Sequence, residues 1–416
     1  MGKKSVVSAI DVGTSKVAAI MADAGDENSF QILGVGVAPS KGLRKGVVVN
    51  PDEAREAVRE AVRKAEHAAG IKMETAYVGI TGRHINSVNT KSAVAVTRGD
   101  RVVSPGDLKR VLESARTVST NAERKLLHVI PRTYTLDGQE GVKNPIGMNG
   151  FRLDVETHVV TAATSSVQNL LKCIRGLGVD VEDLVLEPIA SSEAVLRPDE
   201  KEAGVLMADI GGGTTDIAIY KEGSIWHTAV LPVGGYQLTR DLAIGLGIPF
   251  EIAEEIKRKY GTLLEIPGDK ENVAKIDGAS VGLDNGQEIL NQDVNDIVRA
   301  RIDEMMRMLL LELPHADYAS LIPAGIVLTG GVANLPGIDS VASDVFRLPV
   351  RVGIPKDVYG LADILYDPAY STAVGLLLWG ARRYSEEEGT PDEGVGVVMG
   401  KGLRRFVNKA KHWVNL

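Results

Sequence analysis

The sequence predicts an α/β protein made of two similar halves, and three observations support this prediction. Two matched glycine-rich turns, at residues 11–16 and 209–216, lie roughly half a chain apart. Each turn follows one short apolar run and precedes another, which is the pattern of a strand, a tight turn and a second strand. A third apolar run, residues 325–329, ends in Gly330 and Gly331. At 416 residues the chain is long enough for two or more domains.

The residue types of the two turns indicate that they bind anions. Glycine lets the backbone approach an anion closely, and successive N–H groups with Thr and Ser hydroxyls form a concave cradle. An aspartate at the end of the first strand cannot bind phosphate, but it can hold Mg²⁺ or its waters. We therefore predict that Asp11 and Asp209 organise Mg²⁺. The predicted phosphate-binding residues are Gly13, Thr14, Ser15, Lys16, Gly211, Gly212, Gly213, Thr214 and Thr215.

Two such cradles that face each other would hold a nucleoside triphosphate from both sides. Gly330 and Gly331 let the backbone lie flat against a ring, so they are the predicted adenosine contacts. Glu254 and Lys257 share one helix face and are predicted to reach the ribose and the purine. Two further candidates follow another strand-like run, Gly234 and Gly235.

A carboxylate and two runs of small residues complete the pattern. Glu187 precedes the small residues of 189–194, and residues 370–378 form a second such run. Small side chains let helices cross closely, as a hinge between two halves requires. Taken in this order, the phosphate turns, the hinge runs and the adenosine motif resemble those of the actin/Hsp70/sugar-kinase superfamily.

The resemblance extends to one family. The runs at residues 138–148, 186–196 and 372–377 are similar to those of the FtsA family, the bacterial cell-division actin homologues, and the similarity covers the chain through Gly380. It implies an actin-like ATPase fold, in which two similar halves enclose a nucleotide cleft. It also implies an FtsA-type inserted subdomain and a C-terminal amphipathic helix. Glu187 would orient the attacking water or a Mg²⁺-bound water.

The predicted elements follow this plan along the chain. Strands at residues 6–10, 17–21 and 31–37 precede a helix over 51–69, which Asn50 caps and Gly70 ends. Further along, the patterns predict a strand at 92–97, a helix from Ser104, a polar loop at 137–150 and a helix over about 294–313. The predicted domains are the first half (1–82, 155–196 and about 365–384), the inserted subdomain (83–154), the second half (197–232 and 314–364), the small subdomain (233–313), a disordered linker (385–400) and an amphipathic helix (401–416).

The last residues have the pattern of an interfacial helix. On a helical projection the apolar side chains fall within an arc of roughly 120°, and cations cover the opposite face. The segment contains no acid, and a linker rich in glycine and acids precedes it. We predict membrane contact through Leu403, Phe406, Val407, Trp413, Val414, Arg404, Arg405 and Lys409. The alternative is a terminal helix that packs on the protein body or on a partner.

Composition and resemblance together outline the function. A net charge of −8 argues against nucleic acid as a partner, and the single cysteine, Cys173, excludes an intrachain disulfide. No apolar run approaches the roughly 20 residues of a membrane span, so we expect the chain in the cytosol unless its tail anchors it.

The resemblance implies several partners. The chain would bind ATP with Mg²⁺, self-associate into actin-like filaments and work with other division proteins. It would tether FtsZ to the cytoplasmic face of the cell membrane at the division site, with its tail on anionic lipid. The FtsZ C-terminal peptide would dock near residues 233–313, where Arg301 is the candidate contact. A helix-surface ion pair is the other interpretation of Arg301.

Alternatives to this function stay open at the level of sequence. A small-molecule kinase of the same superfamily would need an acceptor pocket with a base, and no such set is visible. A pilus-assembly actin-like scaffold has related motifs, but the amphipathic tail argues against it. Glu187 has a second interpretation as a carboxylate that satisfies backbone donors at a helix start. No histidine adjoins a phosphate motif, so we expect ATP turnover to be slow or undetectable.

Overall fold

The structure is a computed structural model; it describes residues 6–25, 30–118, 122–264, 275–283, 288–313, 318–356, 358–360 and 363–388. The chain begins with the predicted hairpin strands, the capped helix and a returning strand. These elements are β1 (Val6–Val12), β2 (Lys16–Ala24), β3 (Phe30–Pro39), β4 (Leu43–Arg44), β5 (Val47–Val48), α1 (Pro51–Ala69) and β6 (Thr75–Ile80). The Asn50 side chain accepts hydrogen bonds from the first amides of α1, and Gly70 ends the helix with φ at 69°. Both predicted ends of α1 are confirmed.

The next segment forms a separate four-stranded sheet with one helix. Its elements are β7 (Ile85–Ala95), α2 (Pro105–Val118), β8 (Arg124–Leu136), β9 (Gln139–Val142) and β10 (Arg152–Ala163). The strand order is β7-β10-β8-β9, and Val111, Leu136 and Leu153 belong to a small core between sheet and helix. An inserted subdomain is thus present. Its first strand is longer than predicted, and β9 lies in the region predicted to be a polar loop.

The last strand of this sheet corrects the predicted return to the first half at residue 155. β10 stays paired with β7 and β8 along its whole length. Its side chains, however, divide between two cores. Leu153 and Val155 pack in the core of the inserted subdomain, whereas Val160 and Ala162 pack in the core of the first half. A single run of strand residues serves both cores, so the sequence contains no composition shift at the boundary.

The chain then returns to the first half and crosses to the second. The returning elements are α3 (Thr164–Arg175), β11 (Asp180–Leu186) and α4 (Glu187–Val195). The second half and its small subdomain comprise α5 (Pro198–Ala203), β12 (Val205–Ile210), β13 (Thr215–Lys221), β14 (Ser224–Leu231), α6 (Gly235–Leu246), α7 (Phe250–Tyr260), β15 (Lys275–Asp277), β16 (Glu288–Leu290), α8 (Asn291–Leu311), α9 (Tyr318–Leu321), β17 (Ile326–Thr329), α10 (Ile338–Phe346) and β18 (Val350–Val352). The sheet of this half has the order β14-β13-β12-β17-β18.

Two final elements belong to the first half, β19 (Val358–Gly360) and α11 (Ser371–Glu388). The first sheet has the order β11-β6-β1-β2-β3-β19, so the assignment of residues 358–360 to the second half is wrong. Backbone pairing with β3 decides their place. Because α11 continues to Glu388, the first four residues of the predicted linker are helical. The remaining linker, 389–400, and the tail, 401–416, lie outside the described residues.

The predicted hinge runs are the helices α4 and α11, which cross closely. A Cβ atom added to Gly375 of α11 would overlap the carbonyl oxygen of Ala190 in α4, so only glycine permits this separation. Cys173 lies buried on α3. Among the described residues, we find no helix with both the length and the apolar character that crossing a bilayer requires.

The inserted subdomain also contacts the second half, through the edge strand β14. The Ser87 hydroxyl donates to the Thr228 carbonyl at 2.7 Å, and His158 Nε2 lies 2.9 Å from Thr228 Oγ1. The Asn89 amide donates to the Trp226 carbonyl at 3.3 Å. Burial lowers the pKa of His158 to about 3, so its imidazole is neutral in this interface at physiological pH. The inserted subdomain therefore touches both halves.

Candidate nucleotide-binding site

The two glycine-rich turns lie against each other at the junction of the halves. One turn joins β1 to β2 and the other joins β12 to β13. A Cβ atom added to Gly212 would lie 3.1 Å from the Ser15 Cβ, and one added to Gly213 would lie 2.7 Å from the Thr14 hydroxyl oxygen. Larger residues in the second turn would therefore push the first turn away.

A polar cavity of about 70 Å³ lies between these turns. Most of the predicted phosphate-binding residues line it, together with both predicted adenosine glycines and Glu187. The predicted residues in its lining are Asp11, Gly13, Thr14, Ser15, Lys16, Glu187, Asp209, Gly211, Gly212, Thr214, Gly330 and Gly331. Gly213 and Thr215 are not in the lining: Gly213 packs against Thr14, and the Thr215 hydroxyl donates to the buried Val233 carbonyl at 2.9 Å.

The charge in this cavity is unbalanced. Four carboxylates line it, those of Asp11, Glu187, Asp209 and Asp216, and Lys16 is the cation among the lining residues. Burial is the main cause that raises the pKa of Asp11 and of Asp216 to about 7, and nearby carboxylates add to it. Burial with three neighbouring aspartates raises the pKa of Glu187 well above its usual range. A bound cation would relieve this repulsion.

Neighbouring groups hold the main charged side chains in place. The Lys16 ammonium donates to the Ala369 carbonyl at 2.6 Å and lies 4.3 Å from the centre of the Tyr370 ring. Asp209 Oδ2 accepts hydrogen bonds from the Ser191 hydroxyl at 2.5 Å and the Thr372 hydroxyl at 3.0 Å. These donors come from the two hinge helices, so the hinge orients the carboxylate of the second turn.

Sequence reasoning missed two residues that the fold brings to Glu187. Asp216 lines the cavity and accepts a hydrogen bond from the Thr81 hydroxyl of the first half. The position of Asp216 in the second glycine-rich turn could have identified it as a site residue from the sequence. His84 lines a smaller adjoining space with Glu187, and neither of its ring nitrogens has a hydrogen-bond partner among the described residues. Because it follows the end of β6 rather than a glycine turn, no motif pointed to it.

The predicted adenosine residues meet beside the Gly330 turn. Gly330 has φ at 86° and follows β17. A Cβ atom added to Gly235 would lie 3.1 Å from Val332 and 3.6 Å from the Lys257 ammonium. Lys257 donates to Glu254 at 2.6 Å and to Thr239 at 2.8 Å, so the predicted helix-face pair exists. Gly234 packs against the second turn, because its added Cβ would lie 2.5 Å from the Gly211 carbonyl oxygen.

The donor set limits how a metal is held here. Within the described part of the chain, no group of three or more His, Cys, Asp and Glu side chains converges to hold an ion alone. Mg²⁺ prefers to keep several waters and to take substrate phosphates as ligands. The residues present fit that mode, in which Asp11 and Asp209 would hold Mg²⁺ through its waters.

Arg301 lies apart from this cavity, on α8. Its guanidinium pairs with Asp241 of α6 and with Glu304 of its own helix. The ion-pair interpretation is therefore confirmed, and a partner-binding role remains a prediction. The predicted membrane-contact residues lie outside the described residues.

The two halves have matching strand orders and meet at the paired glycine-rich turns. This arrangement defines an actin-like protein. Solved structures agree in fold. A chain of the PilM–PilN type IV pilus biogenesis complex superposes with a TM-score of 0.63 at 18% identity, covering 90% of this chain and 98% of that one. MreB5 of Spiroplasma citri bound to AMPPNP gives 0.56 at 15% identity, covering 93% and 99%.

Sequence relatives identify the family. A model described as cell division protein FtsA matches residues 206–375, and one described as the SHS2 domain inserted in FtsA matches residues 82–161. The cell division protein FtsA of Pseudomonas aeruginosa is 41% identical over 98% of this chain and 97% of its own length. That of Escherichia coli K12 is 34% identical over 97% of both chains. The chain therefore belongs to the FtsA family of cell division proteins. This family membership favours neither the kinase alternative nor the pilus-scaffold alternative.

Proposed function

We propose that this chain binds ATP with Mg²⁺ between its two glycine-rich turns and acts as a membrane-tethered, polymerising division protein. One observation carries the nucleotide part. Both turns, four buried carboxylates and one lysine surround a single cavity. Structural neighbours of the same fold include an MreB bound to AMPPNP. Backbone N–H groups of the turns and the Lys16 ammonium would hold the phosphates.

Binding would require the halves to separate somewhat. The cavity of about 70 Å³ is much smaller than the roughly 300–1,000 Å³ of pockets that enclose organic ligands. The adenosine would lie against Gly330 and Gly331, near the Lys257–Glu254 pair. The helices α4 and α11 cross between the halves, and Met207 and Val327 of the second half pack in the core of the first half. A small rotation about α4 and α11 that keeps this packing would open the space.

Hydrolysis is the less direct part of the proposal. Bound Mg²⁺ would neutralise charge on the phosphates. Glu187 and Asp216 face the same cavity, and a carboxylate that accepts a proton from water must be within hydrogen-bond reach of it. Their raised pKa values favour the protonated form in the absence of a cation. We therefore expect slow turnover, limited by how well the bound cation restores the ionised form.

Calorimetry tests nucleotide binding directly. With Mg²⁺ present, the wild-type chain should bind ATP, and Asp209→Ala should bind it more weakly because the metal loses an organising carboxylate. Asp199→Ala is a matched control, since Asp199 lies on the exposed surface of α5. An absence of ATP binding by the wild type would refute the proposal. Phosphate transfer to a sugar or a carboxylic acid would support the kinase alternative instead.

The tether and the assembly rest on family membership and on the tail sequence. Electron microscopy of the full chain on anionic lipid with ATP should reveal membrane-bound filaments. Removing residues 401–416 should abolish sedimentation with anionic vesicles, and Trp413→Glu should do nearly the same by placing a charge on the apolar arc. High salt should weaken binding only partly, because it screens the cations but not the apolar burial. Equal sedimentation of the truncated chain would exclude the tail as the anchor.

The partner-binding part has its own test. A synthetic FtsZ C-terminal peptide should bind, through a surface that includes the small subdomain. Because Arg301 already pairs with Asp241 and Glu304, an acidic peptide would have to exchange with those carboxylates. Arg301→Glu should weaken binding, while Arg307→Glu, six residues further along the same helix, serves as a control. Unchanged affinity would remove Arg301 from the site without excluding peptide binding elsewhere.

A further inference from the structure

A second cavity lies where the chain crosses from the second half back to the first. It has a volume of about 290 Å³ and does not include the glycine-rich turns at residues 11–16 and 209–216. Its lining combines the segment after Gly331, the end of β18 and the residues that lead into α11. Apolar members include Leu335, Ile338 and Ile354, and the acidic members are Asp339 and Asp367. We refer to this space, lined by residues 333–339, 352, 354 and 366–368, as the crossing cavity.

Exposed apolar side chains lie in the lining of the crossing cavity and on the chain segment that leads to it. Ile354 and Tyr366 are 43% and 46% exposed, and the nearby Ile364 and Tyr359 are 47% and 56% exposed. Tyr366 is held by a hydrogen bond from its hydroxyl to the Val358 carbonyl. Ile354 and Tyr366 line the cavity itself, and Tyr359 and Ile364 lie between them in the chain. An apolar partner could therefore bind this surface and bury these side chains.

The charge around the crossing cavity is negative. Asp339 and Asp363 form no side-chain hydrogen bond or ion pair with other described residues, and Asp367 accepts from the Asn334 amide at 2.8 Å. No cation lines the cavity, although Lys16 lies near enough to Asp367 to interact with its charge, and Lys356 lies two residues after Ile354 on the same exposed segment. An occupant that presents both apolar side chains and cations would be complementary to this surface.

The chain itself contains such an occupant. Residues 401–416 include five lysines and arginines, two large aromatic residues and no acid. We propose that this C-terminal tail docks on the crossing cavity of its own molecule whenever it is not on a membrane. Trp413 or Phe406 would cover the apolar rim, and the cations would lie against Asp339 and Asp363.

The tail is long enough to reach this surface. α11 begins three residues after Pro368 of the cavity and has 18 residues, so its end lies about 27 Å away at 1.5 Å per residue. Residues 389–400 can span up to about 40 Å when extended. A linker of this length gives an effective concentration of about 1 mM. Docking therefore needs only weak intrinsic affinity to be well populated.

Docking would make membrane attachment conditional. The same aromatic and cationic side chains would be shared between the crossing cavity and an anionic bilayer, so each state excludes the other. This competition rests on the proposed membrane tether, but the docking does not. A single molecule in solution would keep its tail covered, and a dense anionic surface would release it, since several tails on one filament gain affinity together.

Photo-crosslinking in the full chain tests the docking. A p-benzoylphenylalanine in place of Ile354 should crosslink to peptides from residues 401–416, identified by mass spectrometry. The same probe in place of Ile244, which is 69% exposed on α6, should give a severalfold lower yield. The crosslinked tail could belong to the same molecule or to a second copy. Crosslinking a mixture of isotope-labelled and unlabelled chains distinguishes these two cases. Crosslinks within one molecule support the proposal, and crosslinks only between molecules overturn it.

Reversing the charge of acidic residues near the cavity provides a second test of the docking. Asp339→Lys with Asp363→Lys should reduce the crosslink yield from position 354 severalfold. Glu74→Lys with Glu140→Lys makes the same change in net charge at two exposed carboxylates elsewhere and should leave the yield unchanged. Equal yields in both pairs would overturn the electrostatic basis of the docking.

Vesicles separate this proposal from the membrane tether. Phosphatidylglycerol vesicles should lower the crosslink yield as they bind the chain. If the vesicles do not bind and the crosslink persists, the tether fails while the docking stands. If the vesicles bind but no tail crosslink forms in their absence, the docking fails while the tether stands.

Discussion

The two glycine-rich turns hold their charges in different ways. In the first turn, Lys16 donates to the Ala369 carbonyl, just before α11 of its own half. In the second turn, Asp209 and Asp216 accept hydrogen bonds from hydroxyl groups of the opposite half. These donors are Ser191, Thr372 and Thr81. The cation of the first turn is thus held by its own half, whereas the carboxylates of the second turn also depend on hydroxyl donors from the other half.

The largest effect should come from the cation of the first turn. Lys16→Ala should weaken binding of ATP with Mg²⁺ about 10- to 100-fold, because one charge-assisted hydrogen bond contributes about 1.5–3 kcal/mol. The second turn contains no cation that could compensate. Calorimetry measures the change, and Lys91→Ala on exposed β7 is the control. A loss of affinity of less than about threefold would show that the two turns contribute equally to phosphate binding, without a special role for the cation of the first turn.

Steric contact between the turns gives the next largest effect. Gly213→Ala should lower the free energy of unfolding by about 1–3 kcal/mol, because the new Cβ would lie 2.7 Å from the Thr14 hydroxyl oxygen. Adding Thr14→Ala should restore part of that loss. In Gly13→Ala the new Cβ meets the Lys16 carbonyl of its own turn, so Thr14→Ala should restore nothing there. Urea denaturation of the two double-mutant cycles makes the comparison, and equal recovery in both would contradict the contact across the halves.

The smallest effects concern the hydroxyl donors to the second turn. Ser191→Ala or Thr372→Val alone should each lower the free energy of unfolding by less than about 1 kcal/mol, because the other donor still reaches Asp209 Oδ2. The double substitution should cost more than the sum of the two, since it leaves a buried carboxylate oxygen without these donors. Strict additivity in denaturation experiments would indicate that the hinge helices do not jointly orient this carboxylate.

Much of this architecture follows from local signals in the sequence. The β1–β2 and β12–β13 turns, the Asn50 cap and the close crossing at Gly375 each depend on residue types whose physical effect is local. The sheet assignment of β10 and β19 does not. Pairing partners far along the chain decide it, and the side chains of β10 look alike whichever core they join. Asp216 was visible within its motif, whereas His84 approaches Glu187 only because the fold brings the end of β6 beside α4.

The interleaved first core has a consequence for the order in which the protein folds during synthesis. The core of the second half is formed by residues between Leu206 and Phe346, with Val350 and Val352 packed against it, so it can close as soon as that stretch has left the ribosome. The core of the first half contains Ile10 near the start and Leu376 near the end. The apolar strands of the amino-terminal half therefore remain exposed until almost the whole chain has been synthesised. Nascent chains should consequently acquire protease resistance in the later-encoded half before the earlier one.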